Sequence, residues 1–171
     1  MGLRAEPSGF LRAALPVAGV GLSWSALSIW LALNGHEPSG PVFVAPRAMY
    51  YAAQAVFAPP VLLLQFWVLC GVCGLIAGAK RGDLPLQALS TAFAAPLFFL
   101  WLLPDAVAYG VWGFGALTQV VRIAAPATAV VTVLLVARHL KQRLALSLGR
   151  AVLAAVGGCV AQAVLGGAVL R

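Results

Sequence analysis

The sequence predicts an all-α, polytopic integral membrane bundle, and three observations carry that prediction. Val56 to Ala79 is a run of 24 residues with no charged side chain, and Leu84 to Leu103 is a second uncharged run of 20. A bilayer core about 30 Å thick needs about 20 apolar residues of helix, and a helix in a soluble protein keeps a polar face over such a length. The composition agrees: 63% of the 171 residues are hydrophobic and 9% are charged, against roughly 25% charged in ordinary soluble domains. Finally, 11 Lys and Arg stand against 4 Asp and Glu, and the basic residues fall between the apolar runs, where they orient spans and meet anionic headgroups. No basic stripe with interleaved aromatics accompanies the +7 charge, so nucleic acid is not an expected partner. One domain, residues 1–171, is expected.

Five transmembrane helices follow in order. The first, about 13–33, begins after Arg12 and carries Trp24 and Trp30. It exceeds the roughly 7–15-residue apolar core of a signal peptide, so it is read as retained. Asn34 to Arg47 holds three prolines and two glycines, which break regular structure. A loop is expected there, with a short extended piece at Val42-Phe43-Val44. A surface lead-in, Ala48 to Ala55, sets Tyr50 and Tyr51 at headgroup level. Span two, about 56–79, has Pro59-Pro60 in its first turn or at a kink, because first-turn amides lack intrahelical partners anyway. Span three, about 85–103, starts with small residues that pack and ends with bulky ones that face lipid, and Pro104-Asp105 closes it. Residues 106–116, glycine-rich, are expected to be interfacial or re-entrant, and the alternative is that they form part of a span or a short extra one, which would flip the C-terminus. Span four covers about 117–138 and span five about 151–170.

Orientation follows from the basic residues. With the N-terminus cytoplasmic, Arg4, Arg12, Lys80, Arg81, Arg138, Lys141, Arg143 and Arg150 lie inside, and Arg47, Arg122 and Arg171 lie outside. Eight against three satisfies the positive-inside rule. Lys80, Arg81, Arg138, Lys141 and Arg143 are the candidate contacts for anionic lipid on the cytoplasmic side. The expected location is the cell's inner or plasma membrane.

Chemistry is sparse. Cys70 and Cys73 have a redox spacing, but a working thiolate needs an electropositive, partly exposed site. Mid-helix in an apolar run they read as small hydrophobes. His36 and His139 fall on opposite sides of the membrane and cannot share a haem or metal, so they read as solvated or headgroup-level imidazoles. No phosphate loop, zinc-protease helix or nucleophile elbow is present, and no cofactor, metal or enzymatic activity is expected. Asp105 and Arg122 form a candidate polar pair, and with Gln65 and Gln119 a candidate cavity lining. Gly74, Gly78, Gly157 and Gly158 are candidate helix-packing positions, since small residues let helices approach closely.

The stretch YYAAQAVFAPPVLLLQFWVLCGVCGL, residues 50–75, and IAGAKRGDLPLQALSTAFAAPLFFLWLLPD, residues 76–105, resemble the core of the Yip-domain membrane proteins. The shared features are an aromatic lead-in, a proline-marked second span, a short basic-glycine turn, a small-residue third span and an LLPD exit. The resemblance covers residues 50–170 and implies five spans with a cytoplasmic N-terminus. The family is named for members that bind Rab-type small GTPases through a long N-terminal region. Only about a dozen residues precede span one here, so GTPase binding is not carried over. What the resemblance implies is a non-enzymatic scaffold or adaptor acting through helix packing, with lipids, other membrane proteins or a second copy as partners. An accessory subunit of a larger membrane complex is one alternative. The other is a small transporter or lipid-handling protein with a polar cavity. Gathered polar groups favour the cavity, and glutamines buried singly against neighbouring helices favour the scaffold.

Overall fold

The computed structural model describes residues 7–38, 45–79 and 82–169. Helices joined by short turns make up these segments, with no strand among the described residues. Its helices are α1 (Pro7–Leu33), α2 (Tyr50–Ala77), α3 (Leu86–Pro96), α4 (Leu103–Trp112), α5 (Leu117–Leu144) and α6 (Leu148–Val169). A π-helical turn, Leu97–Leu102, joins α3 to α4 without a break. Among the described residues, five helical stretches are long and apolar enough to cross a membrane: Gly9–Leu33, Arg47–Ala77, Leu86–Trp112, Phe114–Leu144 and Leu148–Gly166.

The spans close into a ring. α1 packs on α2, α2 on α6, α6 on α5, α5 on α3, and α3 back on α1. α2 and α3, adjacent in sequence, barely touch. At one end of the ring the interior is filled by Val17, Leu69, Cys73, Leu89, Phe93, Val136 and Leu140, all fully buried or nearly so.

The α1–α2 contact is built around proline. Pro59 lies inside α2 and has no amide to offer the carbonyl one turn back, that of Ala55. The Ser25 hydroxyl lies 2.6 Å from that carbonyl and donates to it across the interface. Gly21 lies against the same proline, where a Cβ would sit 2.7 Å from Pro59 Cα. Here the helices approach to backbone distance, which only glycine permits.

Helix ends follow from glycine. Gly35 has a φ of +68°. Its amide donates to Ala32 O, and the His36 amide donates to Leu31 O. These two bonds make a Schellman cap. Gly78, with a φ of +65°, does the same for α2: its amide donates to Leu75 O and that of Ala79 to Gly74 O. Arg150 Nε reaches across from α6 and donates to Ile76 O, another carbonyl in that last turn.

Span three differs from its expected limits. It runs on through Pro104-Asp105 to Trp112, so 106–112 continues the helix of this candidate span and is not a separate piece. The reason lies in the π turn. The Leu103 amide donates to Phe98 O, one residue further back than in an α-helix. The wider turn between Pro96 and Pro104 lets the helix pass both. Its bulky half does not all face lipid: Phe99 is exposed but Leu102 is buried. The Ala48 to Ala55 lead-in also belongs to a span. A 3-10 turn, Arg47–Met49, passes directly into α2, and Pro59-Pro60 sit two turns inside it. The expected extended piece at residues 42–44 lies outside the described residues.

Candidate functional site

Toward the other end of the ring the five spans part around a cavity of about 800 Å³. Every span contributes to its wall. α1 supplies Trp24 and Ser28, and α2 supplies Tyr51, Gln54 and Gln65. The π turn and α4 supply Trp101 and Asp105. α5 supplies Arg122, Thr128 and Thr132, and α6 supplies Cys159 and Gln162. A space of this size is within the range of small-molecule sites, roughly 300–1,000 Å³.

Its polar groups are unevenly satisfied. The Ser28 hydroxyl donates to Gln54 Oε1 at 3.0 Å, and Gln54 Nε2 donates to the Tyr50 hydroxyl at 3.2 Å. Gln65 Nε2 donates to Gln162 O at 3.3 Å. Asp105 is 8% exposed, and its Oδ1 has no hydrogen-bond partner. Thr128 is 4% exposed, and its hydroxyl also has none. Three buried side-chain atoms lack a partner among the described residues. Two of them therefore line this one cavity, and the third, Ser90 Oγ, does not.

An aromatic cluster stands at the cavity's end of the bundle. The Schellman cap after α1 turns the chain so that His36 stacks on Phe114, with ring centroids 4.5 Å apart and planes 4° from parallel. His36 Nε2 and the Tyr109 hydroxyl share a hydrogen bond at 3.0 Å. Trp30 meets Tyr109 edge-on at 4.5 Å. His36 is therefore held among rings and half-buried. Phe114, Tyr50 and Tyr51 belong both to this cluster and to the cavity wall, and Trp24 and Trp101 form a tilted pair lower down at 5.6 Å.

Of the four polar candidates, Gln65, Asp105 and Arg122 line the cavity together, and Gln119 is exposed and outside it. The unpartnered Oδ1 shows that Arg122 does not bond to that oxygen. The glycine candidates divide. Gly157 and Gly158 face α2, where a Cβ would lie 2.7 Å from Ile76 Cδ1 and 2.8 Å from Cys73 Sγ respectively. Gly78 is a left-handed helix end, and Gly74 packs on Leu84 of the following turn, not on another span. Arg138, Lys141 and Arg143 are exposed at the far end from the cavity, and Lys80 and Arg81 lie outside the described residues. Cys70, Cys73 and Cys159 are free and buried, and the Cys73 thiol donates to Ala154 O at 3.3 Å.

Thr128, Thr132, Trp24, Trp101 and Gln54 are wall residues that the sequence reading passed over. One signal marks the α5 face: Thr118, Val121, Arg122, Ala125, Thr128, Ala129 and Thr132 recur at spacings of three and four on an otherwise bulky helix. That spacing puts them on one face. No family model, curated protein or solved structure matches this chain.

Proposed function

We propose that this chain is a non-enzymatic, multi-pass membrane protein that binds a small amphipathic molecule inside its ring of spans, as a small transporter or lipid-handling protein. One observation carries the reading: a cavity walled by all five spans holds a buried carboxylate and a buried hydroxyl with unpartnered oxygens. A polar atom left unpartnered in an apolar surrounding costs on the order of 1–3 kcal/mol, and more for a charged group. An occupant that satisfies both offsets that cost. The exposed basic end holding Arg138, Lys141 and Arg143 is cytoplasmic in this proposal. The cavity then lies toward the outer leaflet.

A Yip-like scaffold is the second reading, and Gln65 supports it, since its amide is spent on a neighbouring helix. Against it, Gly21, Gly157 and Gly158 are consumed by packing within the chain and offer no face to a partner.

The test is Ala125→Trp, which fills the cavity from α5. Native mass spectrometry of the wild type, released from native membranes in mild detergent, is expected to show a retained small molecule that the variant lacks. Identical adducts on both proteins would sink the cavity reading and leave the scaffold.

A further inference from the structure

We propose that the cavity takes a zwitterionic amphiphile, with its ammonium on Asp105 and its anionic group on Arg122. This deepens the ligand-binding reading above and rests on it. The wall holds one carboxylate and one guanidinium, Asp105 and Arg122. A purely anionic ligand meets Asp105 unfavourably, and a purely cationic one meets Arg122. A ligand carrying both charges satisfies each.

Asp105 is the stronger anchor. An ionised carboxylate only accepts hydrogen bonds, and an ammonium brings three donors. Trp101 supplies a side-chain hydrogen bond to the Asp105 carboxylate, but Oδ1, on a side chain more than nine-tenths buried, is left without a partner. The rings of Trp24, Trp101 and Tyr51 line the same space, and aromatic faces attract alkylated or simple ammonium groups. Leu27, Leu31, Leu62 and Leu97 give the same wall an aliphatic stretch, so the ligand carries an apolar portion. Two sources share this chemistry: a single-chain membrane lipid with an ethanolamine headgroup, and a free apolar amino acid.

The experiment uses the purified full chain in maltoside micelles. Three probes are titrated and read by native mass spectrometry and tryptophan fluorescence: lysophosphatidylethanolamine, lysophosphatidylglycerol of the same acyl chain, and L-leucine. The ethanolamine lipid is expected to bind at least about tenfold more tightly than the glycerol lipid, the increment of one charge-assisted hydrogen bond. Asp105→Asn is expected to remove that preference by weakening the ethanolamine lipid alone. Arg122→Gln is expected to weaken both lipids, and because Arg122 is exposed this variant keeps the test open should Asp105→Asn not fold. Leucine binding that is sensitive to both substitutions assigns a soluble source within the same class.

Equal affinity for the two lipids, binding indifferent to both substitutions, or no binding of either zwitterion overturns the ligand class. Ala125→Trp separates the two levels. If it abolishes probe binding that Asp105→Asn leaves intact, the cavity stands and the zwitterion falls. If it alters no probe's binding, the cavity reading falls as well.

Discussion

Ser25 and Gly21 hold α1 against α2 through the features Pro59 creates. The hydroxyl replaces the amide that proline lacks, and the missing Cβ lets the two backbones meet. Ser25→Ala is expected to cost about 1 kcal/mol, typical of a hydrogen bond between membrane helices. Gly21→Ala is expected to cost more, about 1–3 kcal/mol, because the atom it would strike is backbone and cannot rotate away. Thermal unfolding in detergent reads both, and a Gly21→Ala protein as stable as the wild type would refute the close approach. Ala145 is the opposite case. It ends α5 at a φ of +50°, a conformation that L residues enter at a cost of roughly 1–2 kcal/mol. Ala145→Gly is therefore expected to stabilise the protein by about 1 kcal/mol in the same assay. Pro59 was legible in the sequence as a kink, but its partners were not. Nothing local to Ser25 says which helix it will face.

At the scale of the element, span three shows how one extra residue in a turn aims a site. The π turn at Leu97–Leu102 shifts the register of everything after it, and Asp105 then enters the cavity. A π turn takes in one extra residue over about the same rotation, so removing one residue leaves an ordinary α turn with Asp105 still aimed at the cavity, whereas one residue added beyond the turn rotates Asp105 by about 100°. Deletion of Phe99, which is exposed to 62%, is expected to leave helix content by circular dichroism unchanged. In a background with the native cysteines replaced, Asp105→Cys is expected to react with maleimide from the cavity, the same cysteine combined with the deletion is expected to keep that reaction, and the same cysteine combined with one alanine inserted after Leu102 is expected to lose it. Loss of labelling on deletion, or labelling that survives the insertion, would mean that the π turn does not set the aim of position 105. Sequence patterning took Pro104-Asp105 for the end of a span because proline usually stops a helix. A wide turn that carries the helix past a proline leaves no mark in hydropathy.

Across the whole molecule, the basic cluster at the end of α5 and the cavity sit at opposite ends. Arg138, Lys141 and Arg143 are exposed at one, and the Trp30, His36, Tyr109 and Phe114 cluster stands at the other. With the basic end cytoplasmic, Thr118→Cys at the cavity end is expected to be labelled by an impermeant maleimide on intact cells. Ser147→Cys, in the turn before α6, is expected to be labelled only after permeabilisation. The reverse pattern would turn the cavity toward the cytoplasm and overturn the proposed orientation.

The number of candidate spans and their approximate places are properties of the sequence alone, because an apolar helix of about 20 residues is recognised by length and composition with no partner needed. Asp105, Arg122 and Gln65 could be singled out for a related reason: polar groups are conspicuous inside apolar runs. Tertiary structure decided the rest. Only the ring order of α1, α2, α6, α5 and α3 brings Asp105 and Thr128 to one space and leaves Gln119 outside it. The direction in which a side chain faces depends on helix rotation and on the neighbouring span, and both are set by packing between segments far apart in the chain.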